Sequence, residues 1–281
     1  LNMYLALQKS SNIYPARLVQ RMIAVLGEKW YRQALEEVFG FGVRVGIELP
    51  SESPGNLPTP GKLHKNGRPE WSTPTPFSIA FGHNILANSL QMVRAYAILA
   101  NGGYDVKPTL VRKIVRHSAA GAEEVLLDNT GPQRVERFAR VLDKEIVDDV
   151  VRAMRAVTKP GGTASKADIY GYTEVGKTGT SEKIVGGVYS KKDHISSFVG
   201  FAPAQNSRFV LMVVIDDPQW KYTPGLGKNH HGGNCCAQAF VDIGLKTLQY
   251  LGVEPMILVA ILWEILAAMK SAPIVSKKSK P

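Results

Sequence analysis

The chain has 281 residues, of which 44% are hydrophobic and 21% charged, a composition that excludes a disordered polymer and allows a sizeable core in one large domain or two small ones. Its formal net charge of +10 suits an anionic partner, but the basic residues are scattered and not interleaved with stacking aromatics, which argues against nucleic acid. The only two cysteines, Cys235 and Cys236, are adjacent, which excludes a long-range disulfide, and their spacing from His230 and His231 fits no standard zinc pattern, so neither a metal nor another cofactor is expected.

The chain opens at Leu1-Asn2-Met3-Tyr4 without the charged and apolar regions of a signal peptide, which reads as a boundary inside a longer sequence. After Pro15, Leu18, Met22, Ile23 and Leu26 recur at helical spacing, and a second apolar-periodic stretch runs from Trp30 to Phe39 before Gly40 and Gly42 end it. From Leu49 to Pro76 seven prolines and the surrounding Gly, Ser and Thr predict a long irregular connection on the surface. Asn88 with Gln91 three residues on forms a capping-box signature for a helix whose stripe is Leu90, Val93, Ala97 and Ile98, stopped by Gly102-Gly103. A further helix is expected from about Asp143 to Val157, with Ile146, Val150, Met154 and Val157 on one face and Gly161-Gly162 as breakers.

Beyond this the period becomes strand-like. Tyr170 to Gly179 ends in a strand, Ile195 to Ala202 is a second, and Arg208 to Ile215 is a nearly continuous apolar third that reads as buried on both faces. Short connections favour an antiparallel arrangement, and Ala237 to Leu251 supplies a helix to pack on the sheet. The loop Gln219 to Gly233, with Trp220, Tyr222, Pro224, Gly225, Gly227, His230 and His231, is expected to be a mobile flap with a recognition role. Two parts are expected: residues 1–255, and a segment 256–281 made of an apolar run, Met256 to Met269, and a basic tail. That run is shorter than the ~20 apolar residues a spanning helix needs, so it is expected to lie on a surface or an interface.

Two short motifs carry chemistry: Ser10-Ser11-Asn12 and Lys177-Thr178-Gly179-Thr180. They match the S-x-N and K-T-G elements of serine acyl-transferases of the penicillin-binding class. Each is weak alone. Between and around them stand LQKSSN (Leu7 to Asn12), FSIAFGHN (Phe77 to Asn84), SLQMVRAYAILANGG (Ser89 to Gly103), Gly161-Gly162-Thr163-Ala164, SSFVGFAPA (Ser196 to Ala204) and VVIDDP (Val213 to Pro218). In this order, from about Leu5 to Leu251, the series resembles class B penicillin-binding proteins, the monofunctional peptidoglycan transpeptidases, and within them the cell-division type. His83-Asn84 departs from the glycine-richer turn expected there. The larger departure is that no serine of the chain has a lysine three residues later. The resemblance places that Ser-x-x-Lys nucleophile upstream of the S-x-N element, so it is expected before Leu1, and the chain by itself is expected to be inert.

The resemblance implies an α+β fold, an antiparallel sheet sandwiched by helices of the penicillin-binding protein and serine β-lactamase type, incomplete on its N-terminal side. It implies that Ser10 relays a proton, that Asn12 orients the substrate amide and holds the missing lysine, and that Lys177 supplies positive charge. Thr178, Gly179 and Thr180 then bind substrate, the two hydroxyls sharing one face of a strand and the glycine allowing close approach, with the backbone N–H of Thr180 as half of an oxyanion hole. Implied partners are peptidoglycan stem peptides, β-lactams and membrane proteins of the division machinery, with the catalytic domain on the outer face of the cell membrane. A carboxypeptidase or β-lactamase of the same clan, and a non-catalytic binding or scaffolding piece, remain as rivals. The acidic pairs Glu36-Glu37, Glu123-Glu124, Asp148-Asp149 and Asp216-Asp217 read as solvated faces and not as a glycosidase pair.

Overall fold

The computed structural model describes residues 2–118, 121–130, 138–224 and 227–256. Gly225 of the expected flap, and the expected apolar run and basic tail past Met256, lie outside the described residues.

Three helices open the chain: α1 (Met3–Gln8), α2 (Ile13–Leu26) and α3 (Glu28–Glu37). Asn2 caps α1 by accepting from the Leu5 amide, and Gly27, at φ 84°, breaks α2 from α3 where a side chain would be strained. The Pro-rich stretch is irregular as expected and leads into α4 (Thr75–Ala80). Val19, Tyr31, Leu57, Trp71 and Ile79 close a core of their own between these helices and the irregular segment.

The capping box is present: α5 (Ser89–Ala100) starts with the Asn88 side chain accepting from the Gln91 amide while Gln91 accepts from the Asn88 amide. The buried face of α5 differs from the expected stripe, because it is Gln91, Ala95 and Ile98. Gln91 is fully buried, its amide donating to the carbonyls of Gly40, Val43 and Pro54, so a polar residue takes a core position by satisfying backbone that would otherwise be orphaned. A hairpin, β1 (Lys113–His117) and β2 (Glu123–Asp128), follows; nothing in the sequence pattern announced it. Then α6 (Lys144–Met154) continues as a 3-10 turn, Arg155–Val157, burying Val147, Ala153, Met154 and Val157, whereas Ile146 of the expected stripe is exposed.

The central sheet is antiparallel with order β3-β4-β5, built from β3 (Val175–Val185), β4 (Val188–Ala202) and β5 (Phe209–Asp216). Both β3 and β4 run several residues past the expected strands, joined by Gly186-Gly187 with φ 60° and 84°, a two-residue turn with both centres in the left-handed region. On one face Phe198 and Ala202 of β4 pack against Ala237, Phe240 and Leu248 of α8 (Ala237–Tyr250), the Phe198 and Phe240 rings meeting edge to face at 4.7 Å. On the other, Val175 and Phe201 pack against Met154 and the Tyr96 and Leu99 side chains of α5. The sheet is thus sandwiched by helices, as an α+β fold requires.

One expectation fails: β5 is not buried on both faces. It is an edge strand whose residues are half-buried or exposed, Val214 among the exposed. A continuous apolar run states composition, not whether a strand has one neighbour or two. The remaining elements are a two-residue ribbon, β6 (Tyr222–Thr223) and β7 (Gly227–Lys228), and the short α7 (Gly232–Cys235). No helix among the described residues is long and apolar enough to cross a membrane.

Candidate active site

The site grows from the way α1 ends. The Ser11 amide donates to the Ala6 carbonyl and the Ser10 amide to the Leu7 carbonyl, the paired bonds of a Schellman cap, with Ser10 at φ 52° in the position glycine usually fills. The left-handed backbone costs a residue with a Cβ about 1–2 kcal/mol, so the serine is kept there against its own conformational preference. The end of α1 is moored to the loop before β3: the Thr163 amide donates to the Gln8 carbonyl, Gln8 Nε2 to Pro160 O, and Lys9 Nζ to Gly161 O at 2.9 Å.

That loop is held in turn by a carboxylate. Glu174, fully buried just before β3, accepts from Thr158 Oγ1 at 2.6 Å, Lys159 Nζ at 2.9 Å and the Ile169 amide at 3.2 Å, so both of its oxygens are satisfied. The result is that Lys177 Nζ, on β3, donates to Ser10 Oγ at 2.6 Å across 167 positions of sequence, and also to the Thr178 carbonyl at 3.2 Å. Burial pushes the Lys177 pKa down to about 8. Among the described residues no carboxylate pairs with this ammonium.

Alternation along β3 sends Thr178 and Thr180 to the face opposite Lys177. Thr178 Oγ1 lies 3.3 Å from Thr163 Oγ1, and Thr180 Oγ1 accepts from the Gly232 amide of α7 at 3.1 Å. Gly179 has a local reason to be glycine: a Cβ would stand 2.6 Å from Ser197 Oγ on the neighbouring strand. Gly232 and Gly233 are required where α7 crosses the strands, since a Cβ at Gly232 would strike the Ser197 and Gly179 carbonyls and one at Gly233 the Thr163 carbonyl. Because β3 pairs with β4 alone among the described residues, its other edge is open there along Lys177 to Thr180. Asn12 is exposed at the head of α2, its side chain makes no capping bond, and it borders a pocket shared with Arg17, Gln20, Phe77 and Phe81.

Thr163, Gly232 and Glu174 were not singled out from the sequence. Thr163 follows the glycine pair Gly161-Gly162 and Gly232 opens a second pair, signals of close backbone approach; a lone glutamate before a strand carries no signal at all. At the expected glycine-rich turn, Asn84 takes φ 59° and donates to Ser78 Oγ, while the His83 ring lies 4.9 Å from that of Tyr189 on β4. Asparagine supplies the left-handed residue that glycine was expected to supply. The root of the expected flap is fixed to the core: Ser196 Oγ donates to the His230 carbonyl, and the His230 ring is buried against Trp220, His194 and His231, with burial lowering its pKa. Trp220 and Tyr222 are exposed.

Residues 1–233 match the family model of the penicillin binding protein transpeptidase domain. Peptidoglycan D,D-transpeptidase FtsI of Escherichia coli is 32% identical over 251 residues, covering 89% of this chain and 36% of that protein. The probable peptidoglycan D,D-transpeptidase PenA of Neisseria meningitidis is 29% identical over 249 residues, again 89% of this chain and 36% of the relative. The chain therefore spans about a third of the length of these relatives. Among solved structures, penicillin binding protein 3 of Mycobacterium tuberculosis in complex with aztreonam superposes with a TM-score of 0.71 at 27% identity, over 89% of this chain and 51% of that one. The transpeptidase domain of Burkholderia pseudomallei penicillin-binding protein 3 gives 0.67 at 25% identity, over 89% and 64%. The fold, the ordered motifs and these matches agree: the chain belongs to the penicillin-binding protein transpeptidase family, in its class B branch.

Proposed function

We propose that the chain supplies the proton-relay and substrate-binding half of a peptidoglycan D,D-transpeptidase that forms an acyl-serine with stem peptides ending in D-alanyl-D-alanine and cross-links them during division. The observation that carries this reading is the half-buried Lys177 ammonium, unpaired with any carboxylate among the described residues and bonded at 2.6 Å to a serine held in a left-handed turn. A half-buried cation with no anion beside it makes the site favour an anionic ligand through its field, and the C-terminal carboxylate of a stem peptide or the acid of a β-lactam, held by the threonine hydroxyls across the strand, supplies that charge.

In this reading the substrate backbone lies along the open edge of β3, beside Thr178, Gly179 and Thr180. The Thr178 and Thr180 hydroxyls bind its carboxylate, and the Thr180 amide donates to the oxyanion. Ser10, polarised by Lys177, passes a proton between the nucleophile and the leaving nitrogen, and Asn12 orients the scissile amide. The nucleophile of this reading is a Ser-x-x-Lys serine, a pattern that none of the 281 residues provides. β-Lactams acylate that same serine, and the catalytic domain works on the outer face of the cell membrane with membrane proteins of the division machinery.

Labelled penicillin tests this. The polypeptide extended upstream through its own coding sequence should be labelled covalently, this chain should not, and Lys177→Ala in the extended protein should slow labelling by about 10² or more. An extended protein that stays unlabelled while folded would overturn the reading and favour a scaffolding role. Product analysis separates transfer to an amine from hydrolysis, the outcome a carboxypeptidase or β-lactamase would give.

A further inference from the structure

At the C-terminal end of α7, the break between α7 and α8 sets two thiols side by side. Cys235 Sγ and Cys236 Sγ are 3.6 Å apart, Cys235 donating to the His231 carbonyl and Cys236 to the Ser196 carbonyl, each at 3.4 Å. Cys235 is half-exposed and opens on a cavity of about 400 Å³ bounded by Lys166, Ile215, Pro218, Asn229 and Asn234; Cys236 is fully buried behind it.

The spacing decides what the pair can do. Adjacent Cα atoms stand about 3.8 Å apart, below the roughly 4.4–6.8 Å that a disulfide spans, and an S–S bond of about 2.05 Å would require the sulfurs to close by more than an ångström. Two bonds of about 2.3 Å meeting at a pyramidal trivalent centre at an angle of about 100° instead hold their sulfurs about 3.5 Å apart, close to the 3.6 Å separation already present. A one-atom bridge therefore fits where a direct bond does not. Among the described residues no group of three or more His, Cys, Asp or Glu is placed to complete a metal's coordination, so the bridging atom must bring its own remaining substituent.

We propose that Cys235 and Cys236 form a chelating dithiol site for a trivalent organoarsenical, entered through the cavity at Cys235. Cys235 attacks first, because it faces the cavity, whereas burial and the neighbouring Cys235 push the Cys236 thiol up to about 12. With an arylarsine oxide, each thiol forms one As–S bond, the oxide oxygen leaves as water with the two thiol protons, and arsenic stays trivalent, so no oxidant or reductant is needed.

The test is intact-mass spectrometry of the 281-residue chain after one equivalent of phenylarsine oxide in native buffer. The expected result is one adduct of the reagent's mass less one water, with an unchanged far-UV circular dichroism spectrum. The adduct should survive excess 2-mercaptoethanol and be removed by 1,2-ethanedithiol. Cys235→Ala and Cys236→Ala should each hold the reagent about 10²-fold or more less tightly, since a second bond made within one molecule multiplies retention. Cys236→Ala leaves a small apolar side chain at the buried position and Cys235→Ala removes only the half-exposed thiol, so a folded single-thiol chain is available for comparison. An adduct that forms only in urea, or one that resists the monothiol as well in a folded single variant as in the parent, overturns the proposal.

Discussion

Ser10 and Lys177 each sit at a cost to the fold. Ser10 occupies a left-handed turn, so replacing it by Gly and by Ala removes the same hydroxyl while only the alanine keeps the strain. Ser10→Ala should be less stable than Ser10→Gly by about 1 kcal/mol in urea unfolding. Lys177 has its pKa lowered by burial to about 8, while an unfolded lysine titrates near 10.4. Between those values the unfolded chain binds more protons than the folded one, so this residue's contribution to stability rises as pH increases through the window. Below about 8 both states are protonated and the folded state bears the full burial cost, roughly 3 kcal/mol for the shift. Lys177→Met should raise the urea midpoint at pH 7, and its advantage should shrink from pH 8 to 10. A midpoint difference independent of pH would show that burial does not set the lysine's protonation.

Elements whose signals are local were legible in the sequence, and those that depend on a neighbour were not. The capping box of α5 is written in Asn88 and Gln91, but the burial of Gln91 depends on carbonyls of Gly40, Val43 and Pro54 that no local pattern brings near. The two roles of the box predict different costs. Asn88→Ala loses a cap and should cost about 1 kcal/mol, whereas Gln91→Leu strips three carbonyls of a donor, that of Gly40 buried and the others partly so, and should cost about 2 kcal/mol by the same unfolding measurement. The length of β3 and β4 was missed although Gly186-Gly187 between Val185 and Val188 is a hairpin signal, because the flanking residues Ser181 to Asp193 are largely polar and exposed and show no buried face. The hairpin β1–β2 was missed for the same reason, its residues being mostly exposed.

At the scale of the whole molecule, the cleft joins the first turn of the chain to a strand far along it, and the two motifs announced that partnership while the struts between them were silent. Glu174 is such a strut, a buried carboxylate fixing the Thr158 to Ile169 loop on which the end of α1 is moored. Glu174→Ala leaves the Thr158 hydroxyl and the Ile169 amide without their carboxylate acceptor, while Lys159 keeps Asp168, and should cost about 2–3 kcal/mol, read as a lower urea midpoint. The sheet has two open sides with opposite consequences. Along β3 the open side faces the cleft. Along β5, which pairs with β4 alone among the described residues, it is an apolar strand edge, a template on which a second copy of this chain can dock strand to strand. Sedimentation velocity should accordingly find concentration-dependent dimers of this chain, and Val214→Lys should return it to monomer while leaving the Lys177 edge untouched.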